Sequence, residues 1–176
     1  VKATLKGEII YKIQGPPDIP EYKVPAGTTP NLPLYNPTNI AIAPNGDLYV
    51  ADGYGSYYIN HYDRHGKYLN TFGGRGSDVG MLKEPHGIWV DTRGAVPNLT
   101  VADRRNNRLQ RFTLAGTHID FVYGFRLPCH FHEHNGVVVI ADLQGRVTLM
   151  GRDNRIVAHL GDAAPTSPPN PSRGTA

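Results

Sequence analysis

The sequence predicts an all-β chain: a β-propeller of four-stranded antiparallel blades, present as an incomplete fragment of about three to four blades. Three observations predict it. One motif recurs at 36–52, 84–103 and 127–142, in which a proline leads into a short apolar strand, a polar turn with glycine follows, and a second strand ends in Ala-Asp. The Ala-Asp pairs stand at Ala51-Asp52, Ala102-Asp103 and Ala141-Asp142, spacings of 51 and 39 residues, the range of a blade repeat. Glycine and proline are abundant, 20 and 15 of the 176 residues, and no long segment places apolar residues at helical spacing.

Taken in order, residues 1–15 are β-rich around Lys6-Gly7 and predict the end of a preceding blade. Residues 16–35 carry six of the prolines, which excludes helix and central strand and predicts a surface loop, of a length that often serves function. Blades are expected at 36–83, 84–125 and 126–162, each built from two hairpins. The first-strand runs Ile40-Ala41-Ile42 and Ile88-Trp89-Val90 are nearly continuous, which predicts burial on both faces between neighbouring blades. Residues 163–176 form a Pro-rich tail. Three blades and a fraction do not close a ring, so the missing blades are expected from the rest of a longer protein or from another chain.

Composition removes some functions. The net charge is +3 and the basic residues are scattered through turns, so no nucleic-acid partner is expected. No apolar run is long enough to cross a bilayer, and no charged-then-apolar leader is seen from Val1, so an export signal is either absent or expected upstream. The single cysteine, Cys129, cannot form an internal disulfide.

Blade geometry brings residues just before each first strand, and just after each Ala-Asp pair, to the mouth of the central channel. Those before the strands are Thr38, His86 and Cys129-His130; those after are Gly53-Tyr54, Arg104-Arg105 and Leu143-Gln144. A peptide or small-molecule ligand is expected there. The strings D-G-Y-G-S at 52–56, E-P-H-G-I at 84–88 and V-A-D-R-R-N-N-R-L-Q at 101–110 resemble NHL-repeat six-bladed propellers. Within these, their order resembles the peptidyl-α-hydroxyglycine α-amidating lyases and their bacterial relatives, over roughly residues 36–113. The resemblance implies a zinc ion in the channel with His86 as one ligand. It implies catalytic roles for Tyr54, acting on the substrate hydroxyl, and for Arg104, which positions it. The product would be a peptide amide plus glyoxylate, and the setting secreted or periplasmic.

Zinc requires about three protein ligands, and His130 and Cys129 are the weaker candidates in the third blade. The alternative function is a non-catalytic NHL propeller binding a peptide or protein at the channel mouth. On that reading Arg104 pairs with Asp52 or Asp103. The alternating His130, His132 and His134 share one strand face, which offers a weak metal site, but the favoured expectation is solvent exposure beside Glu133. The recurring Asp52, Asp103 and Asp142 accept hydrogen bonds from the backbone of the following turn.

Overall fold

The computed structural model describes residues 1–13, 15–17, 19–23 and 34–161. Part of the expected Pro-rich loop, at 24–33, and the Pro-rich tail at 163–176 lie outside the described residues. A two-stranded piece comes first, β1 (Lys2–Ala3) and β2 (Ile9–Tyr11), followed by a 3-10 turn at Pro20–Tyr22. Three four-stranded antiparallel sheets follow. The first is β3 (Asn39–Ile42), β4 (Leu48–Ala51), β5 (Tyr58–Tyr62) and β6 (Tyr68–Gly73). The second is β7 (Pro85–Asp91), β8 (Asn98–Asp103), β9 (Arg108–Thr113) and β10 (His118–Tyr123). The third is β11 (Pro128–His134), β12 (Val137–Asp142), β13 (Arg146–Met150) and β14 (Ile156–Leu160). In every sheet the strands lie in chain order, which is the meander of a propeller blade.

The sheets stack face to face through their first strands, β3 on β7 and β7 on β11. Between the first two lies a core of Tyr49, Ile59, Leu82, Leu99, Val101 and Phe112. Between the second and third lies another, with Leu109, Phe131, Val138, Ile140 and Met150. Each such fully buried side chain contributes about 1.5–3 kcal/mol relative to leaving it in water. Aromatic pairs bridge both seams: Phe72 with Phe112 at 5.3 Å and Trp89 with Phe131 at 6.0 Å between centroids.

The first strands depart from the expected burial on both faces. Ile88 and Val90 are buried against the first blade, and Trp89 turns toward the third. In β3 only Ala41 faces the second blade; Ile40 is 49% exposed and Ile42 is 64% exposed. Their face is the one that would receive a preceding blade. The segment Tyr11–Ile13 covers its outer part, over Leu48, Val50 and Tyr62, and leaves the β3 row open. No helix among the described residues is long and apolar enough to cross a membrane.

The strands also end as their sequences dictate. Gly46, Gly66 and Gly116 hold left-handed backbone in the hairpin turns, with φ of 90°, 85° and 92°. Each donates its amide three residues back, to Ala43, Asp63 and Thr113. At the opposite end of the strands from the channel mouth, Arg93 clasps Asp91 through two bonds of 2.8–2.9 Å and reaches the carbonyls of Gly136 and Gly151 in the third blade.

Candidate active site at the channel mouth

Tyr54 leaves the first blade one residue beyond the end-of-strand Asp52-Gly53. Its amide donates to the Asn36 carbonyl at 3.1 Å, which ties the turn to the lead-in of β3. Gly53 is obligatory here, since a Cβ would sit 1.9 Å from the Pro85 carbonyl oxygen. Thr38 closes the same seam by donating from Oγ1 to that oxygen at 2.8 Å. The tyrosine is thereby laid against the start of the second blade. His86 occupies an irregular step of β7, where the pairing register shifts between Pro85 and Ile88. Arg104 opens the 3-10 turn at Arg104–Asn106 that follows β8.

These three side chains meet. Tyr54 Oη lies 3.1 Å from His86 Nε2, and Arg104 Nη2 donates to Tyr54 Oη at 3.3 Å. The rings of Tyr54 and His86 stand edge to face at 5.6 Å, and the Arg104 guanidinium lies 5.4 Å from the tyrosine ring. The tautomer follows from the other nitrogen. His86 Nδ1 is 3.1 Å from the Cys129 carbonyl, which can only accept, so in the neutral imidazole Nδ1 carries the proton and Nε2 presents a lone pair. Tyr54 therefore donates to His86 and accepts from Arg104. Gly87 permits this contact, because a Cβ there would lie 2.4 Å from the same carbonyl oxygen.

Arg104 does not pair with Asp52 or Asp103. Its buried guanidinium pairs with Glu84, whose other carboxylate oxygen takes Arg105. Glu84 is itself buried and sits in left-handed backbone at φ 59°, as does Leu127 at φ 54° before the proline of the third blade. Glu84 went unnoticed in the sequence. The only signal for it is a carboxylate directly before the Pro-His pair.

The three end-of-strand aspartates are buried, but their partners correct the expectation of backbone donors. Asp103 accepts from Arg108, Gln110 and Asn106 side chains, with one amide, that of Lys83, from the preceding loop. Asp142 accepts from Arg146 and Thr148. Asp52 does take the following turn's Ser56 amide, together with the Asn36 amide and the Tyr22 hydroxyl. Burial raises its pKa above the usual carboxylate value despite those donors.

Of the weaker candidates, Cys129 belongs to the cluster through its carbonyl, while its sulfur donates to Leu127 O and receives Arg104 Nη1. His130 points elsewhere, its Nδ1 accepting from Asn39 Nδ2 of β3 at 3.1 Å. His132 and His134 are exposed. Among the described residues, no three His, Cys, Asp or Glu side chains are placed to hold a metal ion. His86 Nε2 has the orientation of a ligand, with a carbonyl behind Nδ1, but the rest of a zinc-binding set is not formed by these residues.

No family model matches the chain. Over 87 residues it is 38% identical to peptidyl-alpha-hydroxyglycine alpha-amidating lyase 1 of Drosophila melanogaster, a match covering 43% of this chain and 15% of that protein. Among solved structures, the hydrazine synthase of Kuenenia stuttgartiensis superposes with a TM-score of 0.57 at 16% identity, over 78% of this chain and 39% of that one. Streptogramin B lyase gives 0.57 at 14% identity, over 73% and 41%. The RRP9 WD40 repeats give 0.58 at 14% identity, over 76% and 40%. At these identities the structures speak for the fold alone, and the chain spans 15% of the amidating lyase and 39–41% of these three structures. The chain is a run of four-stranded β-propeller blades whose sequence is similar, over part of its length, to a peptidyl-alpha-hydroxyglycine alpha-amidating lyase.

Proposed function

We propose that the channel mouth cleaves the N–Cα bond of a peptide ending in α-hydroxyglycine, releasing the peptide amide and glyoxylate. The observation that carries this is the Tyr54 hydroxyl held between Arg104 Nη2 and the His86 Nε2 lone pair. In that setting the substrate hydroxyl gives its proton to Tyr54 oxygen while the tyrosine proton moves to His86. The C–O bond becomes the carbonyl of glyoxylate, the C–N bond breaks, and its electron pair stays on the amide nitrogen. That nitrogen then takes the proton back through Tyr54. Arg104 stabilises the negative charge that builds on the phenolic oxygen. The partial match to an amidating lyase supports the same assignment.

Zinc is a further part of the proposal and no step above runs through it. His86 Nε2 can face a metal or accept from Tyr54, but not both at once. Further ligands would have to come from outside the described residues. Secretion or a periplasmic setting belongs to the proposal in the same way.

The test is glyoxylate release from an N-acyl-α-hydroxyglycine by the full-length protein, with metal content measured on the same sample. Tyr54→Phe is expected to lower the rate by about 10²–10⁴-fold, the usual weight of a positioned acid–base group. Stoichiometric zinc that is lost in His86→Ala would establish the metal. Absence of release, with or without added zinc, ends the lyase reading. It would leave a second one, favoured by the 43% exposure of Tyr54 at the mouth: a propeller that binds a peptide or protein there without turning it over.

A further inference from the structure

We propose that Arg105 is a specificity residue of this mouth and takes a carboxylate of the ligand on which Tyr54 acts. The inference rests on the site reading above for where the ligand lies.

Its first support is position. The second residue after each blade's aspartate is Tyr54, Arg105 and Gln144, and all three are exposed. The backbone repeats this match. Tyr54 N donates to the Asn36 carbonyl at 3.1 Å, and Arg105 N donates to the Lys83 carbonyl at 3.0 Å, each in the lead-in of its own blade. Arg105 thus holds, in the second blade, the rim place that Tyr54 holds in the first.

Its second support is charge. One carboxylate, Glu84, stands between two guanidiniums. Arg104 is buried and engaged on every side, by Glu84, the Tyr54 hydroxyl and the Cys129 sulfur. Arg105 gives only Nε to Glu84, and its side chain is 59% exposed. Its terminal nitrogens make no side-chain hydrogen bond among the described residues. The guanidinium is always charged, and it offers parallel N–H groups that match a carboxylate. Glu84 anchors the base of the fork, so less side-chain freedom remains to be lost on binding. The set of Glu84, Arg104 and Arg105 therefore carries one net positive charge, and its exposed guanidinium is joined to Tyr54 through Glu84 and Arg104.

Calorimetric titration of the full-length protein with N-benzoylglycine and with its primary amide tests this. The acid is expected to bind about ten- to a hundredfold more tightly than the amide, the effect of one charged hydrogen-bonded contact. Arg105→Met should abolish that preference with an unchanged circular dichroism spectrum, and Arg105→Lys should keep part of it. A folded Arg105→Met protein that still prefers the acid overturns the proposal, as does a wild type without preference. Turnover of N-benzoyl-α-hydroxyglycine separates this from the lyase reading. A preference that follows Arg105 without glyoxylate release leaves the carboxylate subsite standing and removes the lyase. Glyoxylate release with KM unchanged in Arg105→Met does the reverse.

Discussion

Glu84 is the residue on which the mouth's electrostatics turn. Its carboxylate is buried and shared by Arg104 and Arg105, of which only Arg104 is itself buried. Glu84→Gln would leave the Arg104 charge inside the protein with half its pairing gone. Breaking such a buried pair costs about 3–5 kcal/mol, and urea unfolding of the variant should show a loss of that order. Removing the exposed partner, as in Arg105→Met, should cost about 0–1 kcal/mol in the same assay. Gly53 poses the opposite problem, of space. Gly53→Ala would drive a methyl into the Pro85 carbonyl, and overpacking of this kind costs about 1–3 kcal/mol. A folded Gly53→Ala protein should also show Tyr54 displaced from His86, visible as a change in tyrosine fluorescence. Neither residue could be singled out from sequence. Sequence places Gly53 at the rim beside Tyr54 and Glu84 before the Pro-His pair, without showing what either one touches. Only the close approach of two blades gives them their roles. Tyr54, His86 and Arg104 were picked out by resemblance, since periodicity shows that they lie on a rim but not that their polar atoms touch.

At the scale of elements, the hairpins were legible because each carries its own local chemistry: alternation in the strands and a glycine in left-handed backbone in the turns. The burial of the first strands was not legible, because it depends on what lies across the seam. Ile40-Ala41-Ile42 and Ile88-Trp89-Val90 look alike in sequence, yet Ile88 has a blade against it and Ile40 does not. Five of the six residues of β8 are buried, and Leu99 among them is fully buried. Leu99→Ala is expected to cost about 2–5 kcal/mol in denaturant unfolding. The far-end clasp at Asp91 responds to acid. Burial alone would raise the Asp91 pKa, but the bonds and charge of Arg93 hold it below the ordinary carboxylate value. A depressed native pKa stabilises the fold above the unfolded value of 3.8 and loses that contribution as pH falls through the native one. Asp91→Asn should accordingly flatten the acid limb of a stability–pH curve while lowering stability at neutral pH.

For the molecule as a whole, the seams matter more than the sheets. Each blade is a self-paired meander, but the contacts that join blades differ along the axis. At one end Arg93 crosses to Gly136 and Gly151; in the middle lie the two apolar cores; at the mouth lie the chain of bonds through Tyr54 and His86 and the Gly53–Pro85 approach. The open row of Ile40 and Ile42 marks a seam with only part of its covering. Ile42→Lys should reduce self-association of the isolated chain in size-exclusion chromatography with little change in melting temperature. The same change at Ile88, inside a filled seam, should prevent folding.

The hydrogen-bonded relay runs from Tyr54 in the first blade through His86 in the second to the Cys129 carbonyl in the third. It therefore works as a gauge of assembly. A chain whose sheets have formed but whose blades have not yet seated together would have every one of these groups and no working mouth. The last step of docking would bring these groups within hydrogen-bond reach, an arrangement that secondary structure alone leaves unmade.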